Sequence, residues 1–224
     1  MSSINSSGSR RVLVIAPHGL DEVLGSAGTV ARHVDEGDEV NTIIVFGEGA
    51  GADAKRRENA LEVSKLLGSN EPIFFGFPEN RSDTVPLLDV ISKIEKSLKD
   101  LSPDLVYINH AGNLNLDHQN TFKAAITAMR PVPGFCVREI YSYETLSSTD
   151  WMPMNVSLAF QPSYFIDISG FVLKKTEALR IYGGDVRPSP HSRSVDSLMS
   201  LATVRGHSIG LLAAESFMPL RSIR

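Results

Sequence analysis

Apolar residues along this chain fall into two recurring patterns. Val12-Leu13-Val14-Ile15-Ala16 is a continuous apolar run, β-branched in part, as expected of a strand buried on both faces. A glycine-containing turn and a helical pattern follow it and end near Glu36-Gly37-Asp38. Val40 to Phe46 reads as a second buried strand, and Asp53 to Leu67 as a helix stopped by Gly68. Ile73-Phe74-Phe75 is a short strand. Leu87, Ile91, Ile94, Leu98 and Leu101 recur at helical spacing, which predicts an amphipathic helix over Pro86 to Asp100. Leu105 to Ile108 is a strand and Asp117 to Met129 a helix. Beyond them, Val137 to Glu144 and Tyr164 to Ile168 read as strands, and Phe171 to Tyr182 and Ser194 to Phe217 as helices.

Strands and helices that alternate to about residue 130 predict an α/β fold, a parallel sheet with helices on both faces. No repeat, low-complexity interior or linker divides the chain, so residues 11–224 are expected to form a single domain. The C-terminal third should complete the same sheet. Met1 to Arg10 is rich in Ser, Gly and Asn and lacks a signal-peptide core. It reads as a flexible tail on a cytoplasmic protein.

Composition narrows the function classes. With 22 Lys+Arg against 26 Asp+Glu, the formal charge of −4 argues against nucleic acid and anionic lipid as partners. Cys136 is the sole cysteine, which excludes a disulfide scaffold. No apolar run approaches the ~20 residues of a membrane span. A nucleotide-binding reading is weak as well. Gly47, Gly49 and Gly51 follow the second strand, and no Gly-x-Gly-x-x-Gly opens the first helix.

Two histidines follow strands closely. His18 lies just past the first strand, in Pro17-His18-Gly19-Leu20-Asp21-Glu22, and His118 opens the helix after the fourth. Those strands are neighbours across the switch point of a doubly wound sheet, so their C-terminal loops face each other. His18, Asp21 and His118 would then reach one point and hold a divalent metal with a position left open, most readily zinc. From spacing alone, histidines bonded to loop carbonyls fit as well.

The blocks around these residues resemble the PIG-L/LmbE-like family of metal-dependent N-acetylglucosaminyl deacetylases. Val12 to Gly28 resembles its first-strand block, Arg56-Arg57-Glu58 its Arg-x-Glu helix, and Phe75 to Asp83 its substrate loop. Asp104 to Tyr107 leads into the late metal motif. Glu144, Ser147 to Trp151 and Pro190 to Ser194 resemble blocks of the sugar-pathway branch. The resemblance implies a Rossmann-like three-layer fold. It also implies zinc held by His18, Asp21 and His118, a donor set that by its chemistry also accepts Fe(II), Co(II) or Mn(II). The implied reaction removes an acetyl group from an N-acetylated amino sugar or glycoconjugate by water that the metal activates. Relatives often assemble, so a homo-oligomer fits the resemblance.

The chain departs from the family where the catalytic base stands. The family has an Asp there, and this sequence has Leu20. Asn115 replaces a His found in many members, Gly112-Asn113 replaces Gly-Asp, and Gly19 replaces a Pro. Leucine accepts no proton, and a general base contributes ~10²–10⁴-fold. Glu22 is the nearest acid that can substitute, and a structural cap is its other reading. His110 and His191 are further candidates for contact with the reacting groups, each with an alternative as a loop residue. Arg57, Asp83 and Asn115 are candidate substrate contacts, and Trp151 stacks either on a sugar or within its own loop. A second class stays open: a weakly active or non-catalytic relative that binds metal and sugar.

Overall fold

The computed structural model describes residues 8–47, 52–134, 136–153, 155 and 158–224, without the side chains of 52 and 53. The expected tail before Gly8, and Gly49 and Gly51, lie outside the described residues. Seven strands form one sheet in the order β3-β2-β1-β4-β5-β7-β6. In chain order these are β1 (Arg11–Ala16), β2 (Glu39–Phe46), β3 (Ile73–Phe77), β4 (Leu105–Asn109), β5 (Glu139–Tyr143), β6 (Tyr164–Asp167) and β7 (Ala214–Ser222). The first five run parallel, and β7 pairs antiparallel with both β5 and β6. Among the described residues six α-helices cover the sheet: α1 (Asp21–Asp35), α2 (Ala52–Leu67), α3 (Leu87–Leu101), α4 (Leu116–Ala128), α5 (Val172–Ile181) and α6 (Val195–His207).

Two apolar clusters show why three layers form. Val12, Val14 and Tyr107 pack on one face with Val23 and Leu24 of α1, Val63 of α2 and Leu179 of α5. Leu13, Ile15 and Ile108 pack on the other with Ile94 and Leu98 of α3 and Ala125 of α4. Alternate residues of β1 therefore serve opposite layers, which is what the unbroken apolar run encodes. Each fully buried aliphatic side chain contributes about 1.5–3 kcal/mol. No helix among the described residues is long and apolar enough to cross a membrane.

Helix α1 lies close on the sheet. A Cβ at Gly25 would stand 2.1 Å from the Tyr143 ring, so only glycine admits this approach. Farther along α1, Glu215 of β7 accepts from the Gly28 and Thr29 amides at 3.0 and 2.7 Å. Lys175 of α5 bonds both Glu215 Oε1, at 2.5 Å, and the Leu24 carbonyl, at 2.9 Å. This buried pair ties α1 to α5 and β7.

The single helix expected over Ser194 to Phe217 is corrected. Helix α6 stops at His207, the chain turns through Gly210 at φ +79°, and Ala214 begins β7. A Cβ at Gly206 would meet the Ala213 backbone at 2.6 Å, so glycine lets the strand fold back against the helix end. Tertiary pairing with β5 and β6 holds the chain from Ala214 onward extended, although Leu211 to Ala214 favour helix.

Candidate metal centre

Strand order reverses between β1 and β4, and the loops after those two strands meet at their carboxyl ends. The turn after β1 presents His18, then Leu20 at φ +96°, then Asp21 at the first turn of α1. No side chain caps α1 from position 20, and the Asp21 carboxylate turns back to accept from the His18 amide at 3.0 Å. After β4, Asn115 caps α4 by accepting from the Asp117 amide at 2.7 Å. That cap fixes the turn from which His118 points inward.

The three predicted ligands converge. Asp21 Oδ2 lies 3.1 Å from His118 Nε2 and 3.4 Å from His18 Nδ1. One donor atom from each residue falls within 4.8 Å of the other two, and all three side chains are buried. The outer nitrogens are held as well. His18 Nε2 stands 2.8 Å from Asp117 Oδ2, and that carboxylate accepts from the Asn80 and Ser82 amides at 2.6 and 3.2 Å. His118 Nδ1 meets the Asn113 carboxamide at 3.0 Å, which Thr149 bonds on its other side at 2.5 Å. Partners that fix ring orientation from outside are what metal-bound histidines need.

The electrostatics fit a cation. Burial opposes a charge on His18, but hydrogen bonds with Asp117 and Asp21 outweigh it and raise the imidazole to about 9. Burial alone would push the Asp21 carboxyl up, but His118 and His18 hold it far below the ordinary carboxylate range. Two imidazoles and an ionised carboxylate aimed at one centre match the donor preference of zinc and its divalent neighbours.

The centre forms the wall of a cavity of about 220 Å³. Leu20, Asn80, Asn115 and Ser147 also line it, together with an ionic cluster. In that cluster Arg56 clasps both Asp185 oxygens at 2.8 Å and Glu79 at 2.5 Å. Arg193, from the loop before α6, donates through Nε to the Ser147 hydroxyl.

The other candidates stand at various distances from this cavity. Asn115 lines it. Glu22, His110, His191, Arg57 and Asp83 are not among its lining residues. Glu22 is buried beneath the turn, where Tyr182 donates to Oε1 at 2.6 Å and Oε2 has no partner among the described residues. Burial pushes its carboxyl up to about 7 against the opposing Tyr182 bond. His110 Nε2 bonds the Leu158 carbonyl at 2.9 Å, and burial lowers its pKa. His191 accepts from the Arg193 amide at 3.0 Å and meets Trp151 edge-on. The Arg57 guanidinium lies 4.1 Å over the Phe74 ring, and Asp83 sits exposed in a short 3₁₀ turn at Ser82–Thr84.

Arg56, Glu79, Asp185 and Arg193 are cavity residues that sequence reasoning missed. Arg56 did carry a signal: it shares a helical stripe with the buried Ala60, Val63 and Leu67, and its neighbour Arg57 does not. A second histidine–carboxylate group, His33, Glu36 and Asp38, lies at the far end of α1. There His33 bonds Asp38 at 2.7 Å and the Tyr107 hydroxyl at 3.0 Å.

Residues 13–129 match the family described as PIG-L, GlcNAc-PI de-N-acetylase. The chain belongs to the PIG-L family. Solved structures share its fold across nearly the whole chain. A conserved protein of Thermus thermophilus, TT1542, is 23% identical with a TM-score of 0.78 over 96% of each chain. The N,N′-diacetylchitobiose deacetylase of Pyrococcus horikoshii is 22% identical with a TM-score of 0.76, covering 95% of this chain and 84% of its own. The 4-carboxy-2-hydroxymuconate hydratase GalB of Pseudomonas putida is 17% identical with a TM-score of 0.73, over 95% of this chain and 97% of its own. The PIG-L fold thus occurs in proteins named for a deacetylation and for a hydration.

Proposed function

We propose that this PIG-L chain is a metal-dependent N-deacetylase acting on an N-acetylated amino sugar or glycoconjugate. The observation that carries the reading is the convergence of His18, Asp21 and His118 on one centre inside a polar cavity. A divalent cation held there, zinc by donor preference, supplies a Lewis acid that polarises an acyl carbonyl and makes water more acidic. His18 is oriented by Asp117 and His118 by Asn113, so both imidazoles present fixed nitrogens to the centre. The Asn80 and Asn115 carboxamides, joined at 3.2 Å, offer hydrogen-bonding groups suited to sugar hydroxyls. Leu20 contributes a dry wall where a proton acceptor would serve the reaction.

The test is acetate release from a panel of N-acetyl sugars by protein loaded with zinc, and by the same protein after chelation. About one metal per chain is expected, with release that chelation abolishes. Stoichiometric metal with no release on any substrate would overturn hydrolysis. Leu20 favours a second reading, a weakly active or non-catalytic relative that binds metal and sugar, because its side chain is 3% exposed and joins the apolar core. Under that reading sugar binds the loaded protein but is not turned over.

A further inference from the structure

The deacetylase reading leaves the remainder of the substrate open, and the two cavity arginines bear on it. They stand in different states. Arg56 is committed, with Asp185 bonded at 2.8 Å on two nitrogens and Glu79 on the third. Arg193 has no carboxylate within ion-pair distance among the described residues, and its one side-chain bond is Nε to the Ser147 hydroxyl. Asp185 feels its charge through space, but both Asp185 oxygens already belong to Arg56.

The backbone around Arg193 is fixed on both sides. His191 Nδ1 accepts the Arg193 amide at 3.0 Å, and Ser194 caps α6 by accepting from Ser197 at 3.1 Å. Ser147, at φ +65°, also belongs to the cavity lining. Serine therefore anchors the guanidinium by its Nε edge, and the two Nη groups remain for a partner. That outer edge is the fork that takes two oxygens of a phosphate or carboxylate, a geometry a lysine cannot reproduce. A cavity guanidinium whose Nη groups bond no carboxylate directly among the described residues is open to an anion from the ligand.

We propose that the substrate carries an oxyanion beside its N-acyl sugar ring and that Arg193 selects for it. The inference rests on the deacetylase reading, because it assigns one more group to the same substrate. It also gives His191 a positioning role, as the acceptor that holds the Arg193 backbone.

The test is calorimetric binding to the full-length, zinc-loaded chain. The probes are N-acetylglucosamine, its 1-phosphate and its carboxymethyl glycoside, which separate neutral, phosphate and carboxylate forms. At least one anionic probe is expected to bind about tenfold more tightly than the neutral sugar, with the preference falling as salt rises. Arg193→Ala should bring the ratio of affinities to near one. Arg193→Gln, which keeps the stem and an N–H donor at the Nε position for Ser147 but removes both Nη groups, should do the same and serves if the alanine variant misfolds. Equal affinity for all three probes in the parent protein overturns the proposal. So does a preference that survives both substitutions, since the anion would then sit elsewhere. Acetate release is scored separately: preference without release removes the deacetylase reading and leaves Arg193 as an anion selector, and release without preference does the reverse.

Discussion

Helix α1 carries a histidine–carboxylate group at each end, built from the same residue types. At its start, His18, Asp21 and His118 aim donor atoms at a shared centre that faces a cavity. Near its end, His33 uses both ring nitrogens on Asp38 and Tyr107, and Asp38 accepts from the Arg10 amide at 2.7 Å. Glu36, the third member there, is exposed and engages Arg32 at 2.8 Å. Proximity of the right atoms is common to both groups. What separates them is where the hydrogen bonds go. At the first, outer nitrogens are tied down and inner ones converge. At the second, every nitrogen is already satisfied, so the group is a strut between α1, β4 and the chain before β1.

The contrast can be broken most decisively by deletion. His118→Ala should abolish metal binding, read as metal per chain after dialysis, and His33→Ala should leave that stoichiometry intact. Metal retained without His118 would remove it from the ligand set. The next effect concerns the wall of the first group. Leu20→Asp should raise acetate release by about 10²-fold or more, since a general base contributes ~10²–10⁴-fold. Unchanged turnover with metal still bound would rule out a lost base as the limiting defect.

A finer test addresses the outer bonds. Asp117→Asn should weaken metal affinity by about 10–100-fold, measured by competition with a chelator, because His18 loses its orienting charge. The parallel change at the far end, Asp38→Asn, should leave metal affinity alone. The smallest effect is in stability: Tyr107→Phe strands His33 Nε2 and should cost about 1–3 kcal/mol in urea unfolding, with metal content unchanged. A drop in metal content there would mean that the two ends of α1 are coupled.

The parallel half of the fold was legible because its signals are local. Unbroken apolar strands and periodic helices announced β1 to α4 within a residue or two, and the adjacency of β1 and β4 followed from their order. His18, Asp21 and His118 could be picked out because strand ends at a switch point are where ligands gather. Residues 194–217 misled because Leu211 to Ala214 have helical propensity and their strand partners lie far away in sequence. Asp185 and Arg193 reach the cavity from the C-terminal segment, so no local period marks them. Arg56 is a different case, since the buried stripe through Ala60 and Val63 marks it within its own helix.

The clamp on α1 has a consequence for the order in which the protein assembles during synthesis. The acceptor for Gly28 lies 187 residues downstream, on the strand inserted between β5 and β6. Until residues 214–222 emerge, β6 has no neighbour to pair with and the outer edge of β5 stands open to any other extended chain. The helix that carries Asp21 is made among the first elements and locked among the last. Early-made protein is therefore in the form a chaperone would hold, and destabilising β7 should show first as aggregation during expression.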